Sequence, residues 1–167
     1  MAADAKQSPT LFDPTRFHAF RFLSRELDRG GRVTLRYALD EDVHFVEQLE
    51  LPVEAQLSDA ELDRVDGLLS LVHWVAGVSY FKTAAPPAIS CEAGTPSPAA
   101  AALLEALYSE GLGEFAYANG LGALPRPSFP RAPAPQVDRP DEEPSLRRML
   151  VPVGGGKDSA VALEIVR

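Results

Sequence analysis

Between Pro125 and Pro144 the chain places seven of its fifteen prolines, in the string PRPSFPRAPAPQVDRPDEEP. Each proline holds φ at about −65° and removes a backbone donor, so this stretch can run neither through a helix interior nor through the centre of a sheet. A semi-rigid spacer of polyproline type is the simplest form for it, and a ligand for an SH3-type module is the other. The rest of the sequence must then fold on either side, as one front domain and a short tail. The expected division is a loose arm over 1–16, a domain over 17–124, a linker over 125–145 and a tail over 146–167.

The chain has the means to bury a core, because 46% of its 167 residues are hydrophobic and only 24% are charged. Over the whole chain 24 acidic against 16 basic side chains leave a net charge of −8, which offers no broad attraction to phosphate backbones or anionic bilayers. Neither nucleic acid nor a membrane is expected as a partner. Cys91 is the single cysteine, so an internal disulfide and a cysteine zinc cluster are both excluded. His18, His44 and His73 are too widely spaced for a metal-ligand motif. The opening MAADAKQSPT has no basic stretch followed by an apolar run, so a cytoplasmic location is expected.

Within the front portion, FHAFRFLSREL is followed by DRGG and then by RVTLRYALD, where Val33, Leu35, Tyr37 and Leu39 alternate with polar neighbours. That is a strand with one buried face, and the two glycines before it mark a hairpin. Asp40-Glu41-Asp42 turns the chain into VHFVEQLEL, so residues 17–51 read as an antiparallel meander with an arginine-rich face turned to solvent. Ser58-Asp59-Ala60-Glu61 is a capping box, and Leu62, Val65, Leu68, Leu69, Val72, Val75 and Ala76 follow as one apolar stripe to pack on the meander. Gly77 is placed to end that helix as its C-cap. GVSYFKTAAPP then leads to a short strand, AISCEA. Its Tyr80 and Lys82 could line a cleft, or simply pack a ring and face water. A second helix starts at Ser97-Pro98, and Phe115, Tyr117 and Leu121 beyond it are expected to pack. The front is thus an α+β domain.

The tail carries the chemistry. MLVPV reads as a buried strand, GGGKDS as a tight loop and SAVALEIVR as the start of a helix. Glycines bring backbone amides close to a ligand, and a helix N-terminus favours an anion, so phosphate is the natural occupant. Gly154, Gly155 and Gly156 would hold it through their amides, Lys157 through a point charge and Ser159 through its hydroxyl. Asp158 suits either a Mg²⁺ ion or the helix cap. The Walker pattern is excluded, since aspartate and not serine or threonine follows the lysine.

The loop resembles the pyrophosphate-binding loop of the ATP-pyrophosphatase (adenine nucleotide alpha hydrolase) superfamily, usually SGGxDS, with Gly154 at the usual serine position. The resemblance implies that an α/β ATP-pyrophosphatase-like domain begins here. Over 17–167 the chain is similar to the N-terminal part of the bacterial UDP-N-acetyl-α-D-muramoyl-L-alanyl-L-glutamate epimerase family. The segments that carry this are FRF, RYALDEDVHFVEQLELP, HWVAGVSYFKTAAPP, YSEGLGEFAYANGL and VPVGGGKDS, in that order. What the resemblance implies is an isomerase of peptidoglycan precursor synthesis. It would use ATP and Mg²⁺ to invert the terminal glutamate of UDP-MurNAc-L-Ala-L-Glu through an acyl-adenylate, with the metal at Asp158 and substrate contacts at Tyr80 and Lys82. No pair of titratable residues presents itself as the epimerising acid and base.

Two other functions fit parts of the sequence. A different ATP-pyrophosphatase-type ligase or thiolating enzyme would share the loop alone, and a non-catalytic interaction module would use only residues 17–124. An ATP-pyrophosphatase domain needs further strands and helices, so the chain is expected to be a fragment, inactive alone. Val151, Val153, Val161 and Ile165 would then be left exposed on a poorly ordered tail.

Overall fold

The computed structural model describes residues 12–133, 151 and 153–166. Residues 1–11 of the expected arm, the second half of the expected linker and most of the expected strand MLVPV lie outside the described residues. The chain divides into a front unit, Met1–Pro135, and a tail unit, Gln136–Arg167.

The front unit is built on a four-stranded mixed sheet. Strands β1 (Ala19–Leu27), β2 (Arg32–Leu39) and β3 (Val43–Glu50) form the expected meander. The β1–β2 turn closes because the Asp28 carboxylate accepts from the amides of Gly30 and Arg32, both at 2.9 Å. Gly31 sits there at φ +86°, and a Cβ on it would meet the Leu51 carbonyl oxygen at 2.7 Å, so dihedral and space both demand glycine. In the second turn Asp40 adopts φ +49°, and its carboxylate accepts from the amides of Ala19 at 2.8 Å and His18 at 3.1 Å. Burial pushes the Asp40 carboxyl upward, but those amides outweigh it and hold the group below the ordinary range.

After β3 the chain crosses the sheet through α1 (Asp59–Ala76) and α2 (Val78–Phe81), then adds β4 (Ala88–Cys91) parallel to β1. The sheet order is β3-β2-β1-β4. Helices α3 (Pro98–Ser109) and α4 (Gly113–Ala118) complete the unit. At the start of α1 the Glu61 carboxylate accepts from the Ser58 amide at 2.9 Å and its hydroxyl at 2.7 Å, and Ser97 caps α3 by accepting from the Ala100 amide.

One irregularity redirects half of β1. The register shifts between Phe22 and Ser24, so Phe20 and Phe22 face the helices before the bulge, and Arg25 and Leu27 take that face after it. Arg25 is thereby turned toward α1, where it pairs with Asp66 at 2.8 Å and also donates to the Ala93 carbonyl. The opposite, polar face is laced by ion pairs of Arg21 with Glu41 and Glu92 and of Arg36 with Glu26, as expected for a solvated sheet surface.

The core is largely aromatic. Phe20, Phe22, Tyr37, Phe81 and Tyr108 are fully buried and meet at ring-centroid separations of 5.0 to 6.5 Å. The two tyrosines are satisfied by α1 carbonyls, Tyr108 donating to Trp74 at 2.6 Å and Tyr37 to His73 at 3.2 Å.

Two expectations need correction. The apolar stripe of α1 is narrower than its sequence suggests: Leu69 is buried with His73 and Trp74, while Leu68, Val72 and Val75 are exposed, because only one line of the helix meets the sheet. Gly77 closes α1 as its C-cap, as expected; its φ is −55°, and the chain runs directly into α2. Glycine is required there by contact, since a Cβ would lie 2.5 Å from Phe22 Cε1 and 2.8 Å from Tyr108 Oη. Tyr117, expected to pack, is 88% exposed.

The described start of the proline-dense segment also belongs to the front unit and is not a free spacer. Phe129 is only 2% exposed, inserted against Tyr108 and Phe22. Glu105 on α3 fastens the strap by accepting from the Phe129 amide at 3.1 Å, from Ser128 at 3.3 Å and from Arg131 at 2.6 Å. The Ala132 amide donates to the Pro96 carbonyl at 2.8 Å. The domain therefore continues past residue 124: prolines forbid regular structure but permit an extended strap whose other donors and one phenyl ring are satisfied by the fold.

In the tail unit, α5 (Lys157–Val166) follows the glycine loop. Val153, before the glycine loop, is 63% exposed, and Val161 and Ile165 on α5 are 58% and 78% exposed.

Candidate functional site

Two places carry groups suited to a ligand, and each is described within its own unit. In the tail, Gly154, Gly155 and Gly156 form the bend that enters α5, with Gly155 at φ +81°. A side chain at Gly155 would be strained by its dihedral. At all three glycines the space a Cβ would fill holds no other atom within 4 Å, so the approach to the loop backbone is open. The Gly154 amide donates to Ser159 Oγ at 3.0 Å, which closes the bend over the first turn of the helix. The Ala160 amide makes the first intrahelical bond, to Gly156 at 3.4 Å, leaving the amides of the first turn without helical acceptors.

Lys157 and Asp158 are exposed on that turn and make no ion pair among the described residues. The donors present fit a phosphate: open backbone amides, one ammonium and one hydroxyl at a helix N-terminus. A Mg²⁺ ion would find one carboxylate here, Asp158, enough only where phosphate oxygens and water complete its shell. Among the described residues no three His, Cys, Asp or Glu side chains cluster as a metal site.

The second place is a cleft of about 550 Å³ in the front unit. Three separate segments make it: the single 3-10 turn Pro14–Arg16 with Phe17, the stretch Lys82–Pro87 after α2, and α4 with its exit to Pro125. Phe17, Pro86, Phe115, Leu121 and Leu124 give it apolar walls, and Lys82 is the one charged side chain in its lining. The Lys82 ammonium lies 5.8 Å from the centre of the Phe115 ring. Ala85 holds the left-handed conformation at φ +46°, and its amide bonds back to Phe81 at 2.7 Å, ending the helical run so that Pro86 and Pro87 can form a wall. Alanine in that conformation is uncommon.

Tyr80 and Lys82, paired in the sequence reading, part company here. The Tyr80 ring stacks on Tyr37 and Phe45, each at 5.0 Å, on the sheet side of α2. Burial, with the Glu47 carboxylate nearby, pushes its hydroxyl above the ordinary phenol range. Lys82 alone enters the cleft. Phe115 and Leu121, expected only to pack, line it with Lys82, and Ala85 and Asn119 were not anticipated. The signal for Ala85 was available in part, since an Ala-Ala-Pro-Pro run after a helix must turn.

Two other reactive-looking side chains are inert by placement. Burial pushes the Cys91 thiol up to about 12, so it holds no thiolate at neutral pH. Burial takes His73 down to about 4, with Arg25 adding to the effect against a hydrogen bond to the Arg36 carbonyl; it is a neutral core residue. No described helix is long and apolar enough to cross a membrane.

Comparison with known proteins adds what geometry alone does not. Three curated proteins match the chain, each bearing the name UDP-N-acetyl-alpha-D-muramoyl-L-alanyl-L-glutamate epimerase. The one from Xanthomonas oryzae pv. oryzae is 40% identical over 161 residues, covering 95% of this chain. Those from Salinispora tropica and a Micromonospora species are 40% and 41% identical, each over 91% of it. The chain spans about a third of the length of these relatives, 35%, 34% and 35% respectively. No solved structure matches. The model of a family described as the MurL N-terminal domain matches residues 11–167, from the edge of the arm through the strap to the glycine loop, and the chain belongs to that family.

Proposed function

We propose that this chain forms the front of an ATP-dependent epimerase that inverts the terminal L-glutamate of UDP-MurNAc-L-Ala-L-Glu for peptidoglycan precursor synthesis. The observation that carries this is about 40% identity, over more than nine-tenths of the chain, to three proteins bearing that epimerase name. The open glycine loop supports it.

The chemistry explains why an epimerase would need ATP. An ionised α-carboxylate resists loss of the neighbouring proton, because the carbanion adds charge beside existing charge. A carboxylate oxygen of the terminal glutamate attacks the α-phosphorus of ATP, and pyrophosphate leaves with the electrons of the broken P–O bond. The resulting acyl-adenylate is neutral at the carbonyl, so a base can remove the α-proton and an acid can return one to the opposite face. Water then cleaves the mixed anhydride, releasing AMP and the D-glutamyl product.

In this scheme the amides of Gly155 and Gly156 cradle the β- and γ-phosphates, Gly154 shapes the bend through its amide bond to Ser159 Oγ, and Lys157 and the Ser159 hydroxyl contact the phosphates. Asp158 would hold Mg²⁺, which supplies neutralisation of the phosphate charge. Lys82 contacts the muramoyl dipeptide substrate; Tyr80, turned toward the sheet, supports α2 beneath it.

The test is incubation of the protein, expressed from its natural reading frame, with the L-glutamyl substrate, ATP and Mg²⁺ in heavy water. ATP-dependent exchange of the glutamate α-proton for deuterium is expected, with AMP and pyrophosphate released. ATP cleavage without exchange would overturn the proposal. Lys157→Ala is expected to abolish AMP formation, and undiminished release would remove Lys157 from its role.

A further inference from the structure

We infer that the cleft beside Lys82 is the pocket for the uridine diphosphate end of the substrate, an inference that rests on the epimerase reading above. The cleft's chemistry selects the class of ligand. Its walls are apolar and partly aromatic, with Phe17 and Phe115 among them, and Lys82 is the only titratable side chain in its lining. Inversion at a carbon needs a proton taken from one face and returned to the other, and beside Lys82 the lining offers only the neutral polar groups of Thr15, Thr83 and Asn119, none of them a base at neutral pH. The cleft is therefore built to hold a part of the substrate that does not react.

Of the parts in the substrate's name, the uridine diphosphate combines a flat ring with concentrated negative charge. The Lys82 ammonium lies over the Phe115 ring, 5.8 Å from its centre, so a diphosphate paired with it leaves the base against the remaining apolar wall of Phe17, Leu121 and Leu124. Charge complementarity points the same way. The chain carries a net charge of −8, yet no acidic side chain lines this cleft, so an anionic ligand finds here a local exception to an otherwise repelling surface. Binding at a remote, unreactive end is also how an enzyme positions a large substrate for a demanding step elsewhere on it. The left-handed Ala85 that shapes the proline wall is the kind of backbone conformation retained when surrounding structure over-determines it.

The test is calorimetric titration of the 167-residue chain with UDP, and separately with uridine and ATP. UDP is expected to bind saturably. Lys82→Ala should weaken it at least tenfold, and Lys82→Arg should restore most of the affinity. Uridine, which lacks the charge, should bind more weakly and be indifferent to Lys82→Ala. Because Leu121 is 45% exposed, Leu121→Glu should abolish UDP binding while leaving the melting temperature unchanged. UDP affinity unmoved by both Lys82→Ala and Leu121→Glu would overturn the inference. So would ATP binding as tightly as UDP with the same dependence on Lys82.

The same variants in the deuterium-exchange assay separate this inference from the reading beneath it. ATP-driven exchange whose KM for the substrate is unchanged by Lys82→Ala overturns the cleft assignment alone. Absence of exchange, with Lys82-dependent UDP binding intact, overturns the epimerase reading alone.

Discussion

Replacing Phe129 by alanine tests whether the proline-dense segment is a spacer or part of the fold. Its ring is 2% exposed and meets Tyr108 edge-on at 5.1 Å and Phe22 at 6.0 Å. Transfer of a buried phenyl side chain back to water costs about 2 to 3 kcal/mol. The cavity and the lost aromatic contacts raise the usual Phe→Ala cost to about 3 to 5 kcal/mol. The strap has no helix or strand to hold it rigid, so it can settle inward or lift away and recover some conformational entropy. The lower end, about 3 kcal/mol, is therefore expected. At roughly 4 °C per kcal/mol for a domain of this size, the melting temperature should fall by about 12 °C. The chain has one tryptophan, Trp74, 7% exposed, and its carbonyl accepts the Tyr108 hydroxyl that lies under Phe129. Its fluorescence during urea unfolding reports the transition directly. A loss below about 0.5 kcal/mol, the ordinary range for a surface change, would refute the docked strap. Truncation after Pro135 should leave the transition nearly intact, whereas truncation after Leu124 should lower it by at least as much as Phe129→Ala.

Gly77→Ala separates two roles for one glycine by sign. Helix propensity alone would stabilise the variant by up to about 1 kcal/mol, whereas the contacts at Phe22 and Tyr108 should destabilise it by about 1 to 3 kcal/mol in a urea titration. His73 should make stability depend on pH. Its folded-state value of about 4 lies below the ordinary 6.5, so the unfolded chain binds the proton first and stability falls as pH drops from about 6.5 toward 4. The full effect is of order 3 kcal/mol, and an unchanged urea midpoint between pH 7 and 5 would contradict the burial of a neutral imidazole. Gly155→Ala should leave the front unit's melting transition unchanged while reducing ATP-dependent AMP release, because φ +81° disfavours any side chain although the space for one is open. Full activity in that variant would mean the loop's bend is not needed for phosphate.

Much of this chain is legible residue by residue, because local physics acts within a few positions. Asp28-Arg29-Gly30-Gly31 closes a hairpin, Ser58 with Glu61 and Ser97 with Pro98 start helices, alternation sets the buried face of β2, and three glycines before Lys157 leave an uncrowded bend at a helix start. These signals depend on dihedral preference and on donors within one turn. What they could not convey is set by partners far along the chain. The shift between Phe22 and Ser24 that turns Arg25 inward exists only in the pairing of β1 with β2. The parallel seat of β4 beside β1, and the steric demand at Gly77, depend on segments tens of residues away. Phe129 fell within the expected spacer, and its place in the fold is set by Glu105 of α3 and Tyr108 of the core. The cleft follows the same logic: Lys82 was visible as a cation after a helix, but its separation from Tyr80 and its company of Phe17, Phe115 and Leu121 arise only where three segments converge. Sequence sets conformations through short-range sterics and hydrogen bonds, while sites are made by packing, which joins residues that no local pattern connects.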